Sequence, residues 1–506
     1  MTTHSIFGRA LNTALPAILL LGLVLSACGG AAPAEGTLRV AFQPLVQTDP
    51  ATISSDTEVF VANAVYDYLV DVDPDSNVVP RLATEWDIND DGLTYTFTLA
   101  EGVSFHDGSA LTAEDVVWTF DRLRDPDNGY PTADLYANIT GIEATGELEV
   151  TFTLDQTNPF FLYDLSDNHA LVMSSDTEDP SDFNGTGPFV VESYSPEDRI
   201  LLTANDDYFV DGQPQLATVE VIFFSDENAM VDALRGGQVD LVMRMSTPLF
   251  ESLQGVDGIT TYNIPTGGFD LVRLRADREP GNDPRVIQAM KLATDRAAIL
   301  ELVQQGYGAV GNDSPIGPIF DAYHDDGVQA PERDVEAARA LLAEAGYEDG
   351  LDLTIHVPNS GGRPDLAAVL QDQWADAGIN LEISVEPEEV YYGENGWLEV
   401  DLGITGWGAR PYPQLYLDTM LVSGAVWNES HFSDEEFDAL AALAGSTLDD
   451  QERIDAYSQI QQLLAERGPV IIPYHFPQFA AIRDGFTGFQ LEAFAGRTDV
   501  HTIGTE

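Results

Sequence analysis

The sequence predicts an α/β protein of more than one domain, and three observations lead there. Its 506 residues can supply two or three hydrophobic cores. Leu351–Val357, Asp365–Ala377 and Asn380–Val385 read as strand, helix and strand, a spacing that argues for parallel pairing through a right-handed crossover. The stretch Asp91–Phe120 joins a strand, a turn and a helix start.

That stretch organises the first half of the chain. Leu93, Tyr95, Phe97 and Leu99 alternate with Thr94, Thr96 and Thr98, the period of a half-buried strand. Asp90-Asp91-Gly92 suits a tight turn, which makes Glu85–Ile88 the other arm of a hairpin. His106-Asp107-Gly108 turns the chain again. Thr112 then stands three residues before Asp115, as an N-cap accepting from the N3 backbone N–H, with acids in the positive first turn. Val116, Val117 and Phe120 form the buried side of the helix.

In chain order, residues 1–27 read as an export signal. His4 and Arg9 precede the apolar run Ala17–Leu25, which is short for a membrane span. Leu25-Ser26-Ala27-Cys28 has the form of a lipobox, and residues 28–36 make a flexible leash. Cys28 is the only cysteine, so no disulfide forms within the chain. Thr37–Ala41 is a first strand and Thr57–Leu69 a helix, with Glu147–Leu154 a later strand. Gly185-Thr186-Gly187 allows a sharp change of direction before another strand. Val219–Phe224 is a strand and Asn228–Leu234 a short helix. Asp283–Gln304 reads as one helix with Asp283 as N-cap and Pro284 at N1. Glu332–Ala345 is amphipathic and stops at Gly346. Leu402–Thr405 is a strand, Asp434–Ala444 and Asp450–Arg467 are helices, and Ile471–Tyr474 is a closing strand.

Acids outnumber bases 85 to 22, a net charge of −63, and Lys291 is the sole lysine. Such a surface repels phosphate, which argues against nucleic acid as a partner. It reads as adaptation to high salt, where repulsion is screened and carboxylates stay hydrated. No G-x-S-x-G, H-E-x-x-H, P-loop or C-x-x-C motif occurs, so neither enzyme activity nor a cofactor is expected. The eight histidines are scattered. Asp87-x-Asn89-x-Asp91-Gly92 matches half of a calcium loop, but Thr98 stands at the twelfth position, and strand alternation explains the segment.

The order strand, Gly102-Val103-Ser104-Phe105-His106-Asp107-Gly108, then Thr112-Ala113-Glu114-Asp115-Val116 resembles the signature of the family-5 extracellular solute-binding proteins. These are the peptide-, nickel- and oligosaccharide-binding receptors of ABC importers. Asp49-Pro50, Gly185-Thr186-Gly187-Pro188-Phe189 and the Asn205–Gln213 loop resemble further family segments. The resemblance implies a periplasmic-binding-protein-like fold (type II, large cluster), a two-lobe clamshell with an extra α+β domain. It implies lobe I from about 36–52, 186–268 and 478–506, an extra domain II over 53–185, and lobe III over 269–477. Hinges would fall near 268 and 478, with ligand between lobes I and III. Function follows as capture of peptides or peptide-like solutes by a lipid-anchored monomer that delivers them to a permease. A nickel chelate or an oligosaccharide is the alternative, as is a sensory lipoprotein not coupled to transport.

In the family, the segment that corresponds to Thr405–Asn428 lines the cleft. Gly406 and Trp407 match it, while Arg410 stands at the charged place and Tyr412-Pro413 where Asp-Pro is usual. In peptide binders an Asp there can hold the ligand's ammonium. Trp407 is expected to pack on ligand. Arg410 offers a bidentate fork to a carboxylate or phosphate, or else a salt bridge to one of the many acids. Trp427, Asn428, Gln43 and Thr186 complete the candidate set.

Overall fold

The computed structural model describes residues 34–73, 77–130, 132–393 and 396–506. The export signal and Cys28 lie outside the described residues. Among those described, no helix is long and apolar enough to cross a membrane.

A twelve-stranded sheet runs through the molecule. From one edge its order is Ile379–Glu386, Leu351–Pro358, Leu402–Trp407, Ile259–Leu274, Tyr474–Arg483, Leu241–Met243, Thr37–Phe42, Thr218–Phe223, Arg199–Ala204 and Phe189–Ser195. Leu351–Pro358 and Ile379–Glu386 are parallel, with Leu351 opposite Ile379 and helix Arg363–Ala375 between them in sequence, as the spacing predicts. A separate four-stranded antiparallel sheet has the order Ala83–Ile88, Thr94–Leu99, Glu149–Leu154, Ile139–Gly146. The expected hairpin is its first pair, with Trp86 opposite Phe97.

Apolar burial divides the chain into separate cores. One draws on residues from Leu38 to Phe223 and returns to the chain end through Ile482 to Ile503. Two others draw on Phe269 to Tyr474, with Phe160 joining one of them. Phe97, Phe120, Phe152 and Phe161 hold the four-stranded sheet to helix Ala113–Arg124 by edge-on contacts, Phe120–Phe152 at 5.3 Å.

At the expected helix start Thr112 and Asp115 form a capping box, Thr112 accepting from the N3 backbone N–H and Asp115 Oδ2 accepting from Thr112 N at 2.8 Å. The Thr112 hydroxyl also donates to Asp115 Oδ2 at 2.9 Å. Two local expectations are corrected. The helix expected over Thr57–Leu69 is Asp56–Val65, because Val65 O accepts from Gly187 N at 2.9 Å. A Cβ on Gly187 would lie 2.5 Å from Val65 C, so glycine is what lets the two backbones meet. The helix expected over Asp283–Gln304 is two, Pro284–Ala293 and Arg296–Gln304. Thr294 Oγ1 takes the Trp374 indole N–H at 2.9 Å, and Asp295 caps the second helix on Ala298 N.

The two strands Ile259–Leu274 and Tyr474–Arg483 carry the chain between the halves of the large sheet. Ile259–Pro265 pairs with Arg483–Pro477, and the register then shifts before Phe269 meets His475. From Phe269 onward the first strand pairs with Leu402–Trp407. The signature turn is tied to this frame from outside: His106 N donates to Gly185 O at 2.8 Å, and its Nε2 lies 3.0 Å from Gly187 O.

Candidate ligand-binding cavity

A cavity of about 890 Å³ opens where three parts of the chain meet, with residues from 63–81, 132–138, 319–320 and Gly445 completing its lining. The first is 156–169, the loop and short helix after strand Glu149–Leu154; the second is 409–419, which follows strand Leu402–Trp407; the third is the C-terminal loop 492–499. The size lies within the ~300–1,000 Å³ usual for small-molecule sites.

Each segment reaches the cavity for a local reason. Pro411 and Pro413 interrupt the strand that ends at Trp407 and precede helix Gln414–Met420, which leaves Arg410 and Tyr412 on the turn between them. Asn158 Oδ1 accepts from Phe160 N at 2.9 Å and starts the short helix Phe161–Asp164. Tyr412 then stacks on Phe160, with ring centroids 4.4 Å apart and planes at 2°, and its hydroxyl donates to Asp164 Oδ1. Asn158 Nδ2 donates to the other Asp164 oxygen at 2.7 Å. Burial pushes the Asp164 carboxyl up to about 7, the Tyr412 and Asn158 bonds opposing.

The C-terminal wall is a network of charges. Arg497 Nη2 donates to Asp71 Oδ1 at 2.5 Å, while Arg81 lies 3.2 Å from Asp67, 3.5 Å from Asp71 and 3.4 Å from Asp499. His501 contacts both Arg81 and Asp499; burial, then Arg81, pushes it down to about 3, so it is neutral. Burial raises Asp499 and carries Glu492 to about 7. Asp418 on helix Gln414–Met420 is also raised by burial, to about 6, against the Gln414 amide that donates to it.

Arg410 differs from the other two arginines of the cavity. Arg81 and Arg497 are paired with carboxylates, whereas the Arg410 side chain makes no hydrogen bond or ion pair among the described residues. Such a guanidinium offers five donors in a planar fork, the geometry that receives a carboxylate. Among the described residues no group of three or more His, Cys, Asp or Glu is placed to hold a metal ion.

The family model of the bacterial extracellular solute-binding proteins, family 5, matches residues 77–428. The chain belongs to that family. Its members bind solutes and are not enzymes. This family-5 protein is 29% identical to the probable di/tripeptide-binding protein 5 of Pseudomonas aeruginosa, over 99% of each chain. It is 27% identical to heme-binding protein A of Haemophilus influenzae, over 88% of each. In fold it resembles the ABC transporter substrate-binding protein CtaP of Listeria monocytogenes, with a TM-score of 0.82 at 22% identity, over 94% of this chain and 100% of that one. The α/β clamshell fold class expected from the signature is therefore the fold class of the family-5 protein.

Of the candidate residues, Arg410 and Tyr412 line the cavity. Trp407 does not: it is 4% exposed, and its indole N–H donates to Glu429 Oε1 at 3.2 Å. Glu429 also accepts from Arg273 at 3.0 Å and Thr405 at 2.7 Å, so Trp407 closes a buried polar network. Gly406 clears a slot for another guanidinium, since a Cβ there would lie 1.7 Å from Arg363 Nη2. Thr186 is buried and donates to Asp67 at 2.9 Å. Asn428 is spent on its own loop, accepting from Phe432 N at 3.1 Å and donating to Phe432 O at 2.8 Å. Trp427 is largely exposed, edge-on to Trp407 at 5.9 Å, and Gln43 is exposed away from the cavity. Phe160, Asp164, Glu492 and Arg497 were not legible as site residues. They lie in two distant segments without a motif, and only folding brings them together.

Proposed function

We propose that the chain captures peptides or peptide-like solutes in the cavity beside Arg410 and delivers them to the permease of an ABC importer. The observation that carries the reading is the Arg410 guanidinium, unpaired among the described residues, in a cavity of about 890 Å³. A partly buried arginine fork pairs well with a carboxylate, so a solute with a free carboxyl end suits this wall. The relatives named for peptides support the same reading.

The proposed working unit is a lipid-anchored monomer outside the membrane, exported by residues 1–27 and tethered through Cys28. Lobe I (36–52, 186–268, 478–506) and domain II (53–185) move against lobe III (269–477) about the crossing strands. Closure around ligand selects the form a permease recognises.

Native mass spectrometry of freshly purified protein tests the cargo, and calorimetry with the released peptide tests the site. Arg410→Ala weakens a carboxylate ligand by about 1.5–3 kcal/mol, the scale of a charge-assisted hydrogen bond. Unchanged affinity removes Arg410 from the site. Cys28→Ala releases the chain from membranes into the medium if the anchor is the lipid.

A further inference from the structure

The cavity is bipolar. Besides Arg410, its C-terminal wall holds Glu492, whose side chain makes no hydrogen bond or ion pair among the described residues. The charges that act on Glu492 are Asp71, Asp73 and Asp499 against Arg497. Arg497 is already bonded to Asp71, and Arg81 is shared among Asp67, Asp71 and Asp499. His501 contributes no charge. Five carboxylates thus stand against two guanidiniums at this end: Asp67, Asp71 and Asp499 each meet a guanidinium and Asp73 holds Asn77, while Glu492 has no hydrogen-bond or ion-pair partner among the described residues.

An isolated carboxylate in a low-dielectric wall is costly unless it meets a cation or a proton. Burial already drives Glu492 to hold a proton near neutral pH, about 7. An ammonium or guanidinium from a solute replaces that proton at the same oxygen pair, gaining a charge-assisted bond without breaking a protein contact. Arg410 and Glu492 come from different segments of the same cavity, so one solute can meet both.

We infer that Glu492 is a cation subsite and Arg410 a carboxylate subsite of one cavity, which selects peptides bearing a basic side chain in addition to a free carboxyl end. This rests on the peptide reading above, and it assigns which peptides the cavity prefers.

Calorimetry separates the two ideas. The probes are alanyl-lysine, its apolar analogue alanyl-norleucine, alanyl-glutamate, and the C-terminal amide of alanyl-lysine. Wild-type protein binds alanyl-lysine at least about tenfold more tightly than alanyl-norleucine, with alanyl-glutamate weakest, and amidation costs a further tenfold or so. Glu492→Gln removes the preference for lysine over norleucine but keeps the penalty for the amide. Arg410→Gln does the reverse. Equal affinity for all four probes, or a lysine preference that survives Glu492→Gln, overturns the cation subsite while peptide capture stands. Failure of every probe to bind overturns peptide capture and this inference with it. The probe series on wild-type protein decides the matter even if a variant folds poorly.

Discussion

Tyr412 and Asp164 lie 248 residues apart in sequence, yet the phenol hydroxyl of one donates to the buried carboxyl of the other. The stack of Tyr412 on Phe160 at 4.4 Å makes the contact an apolar as well as a polar one. It joins two walls of the cavity, one from the part of the chain that holds the four-stranded sheet and one from the part between the two crossing strands in sequence.

The fold around this contact is expected to lose stability as pH rises, because burial disfavours the ionised carboxyl more than the Tyr412 and Asn158 bonds favour it. Solvated, the Asp164 carboxyl would titrate near 4; buried beside Tyr412 it sits at about 7. A group raised on association contributes fully below its solvated pKa and loses that contribution as pH rises through the raised value. Wild-type protein therefore loses stability relative to Asp164→Asn between about pH 4 and 7, by a few kcal/mol at most. Parallel melting curves for the two across that range would falsify the assignment. Tyr412→Phe, which keeps the stack, costs about 1–2 kcal/mol.

Gly406→Ala is expected to destabilise through a partner rather than through its own backbone. The new methyl would displace Arg363, whose Nε donates to Asp270 at 2.8 Å. Asp270 is fully buried and would keep only the Tyr474 hydroxyl, 2.6 Å away. Breaking a buried pair from one side costs about 3–5 kcal/mol. A denaturant midpoint unchanged by the substitution counts against this account.

Glu429→Gln tests the network behind Trp407. Arg273 and Glu429 are 0% and 1% exposed at the side chain, 3.0 Å apart. The amide retains acceptor capacity for Thr405 but leaves Arg273 as an uncompensated buried charge, so a loss of about 3 kcal/mol or more is expected. Tryptophan fluorescence should change with it, since Trp407 loses its carboxylate acceptor. A variant as stable as wild type sinks the claim that this network organises the strand end.

The net charge of −63 makes a prediction about salt. Screening shortens from about 10 Å at 0.1 M to about 3 Å at 1 M, so surface repulsion falls steeply over that interval. The melting temperature is expected to rise from low salt to molar NaCl. A flat or falling profile removes high-salt adaptation as the reason for the acidity.

Much of the fold was legible because its signals are local. The alternation in Thr94–Leu99, the parallel unit around Arg363–Ala375 and the cap at Asp434 are each written within a few residues. The failures share a cause in tertiary competition. The helix after Asp283 breaks because Trp374, eighty residues on, occupies the Thr294 hydroxyl. Periodicity cannot report that. At the site, Arg410 and Tyr412 were legible from their segment, but Glu492 and Asp164 were not, since a carboxylate in a chain with 85 acids carries no signal until its neighbours are known. Trp407 was placed on the ligand by its segment, whereas the structure commits its one polar atom to Glu429.

The two long antiparallel strands, Ile259–Leu274 and Tyr474–Arg483, form a ribbon paired along Ile259–Pro265 and again at Phe269, with a slip between Pro265 and Phe269. A ribbon resists shear along its length and sideways splay, but it bends easily where the ladder is interrupted. In the proposed closure that slip is the natural bending point, and the motion it favours is close to a single rotation.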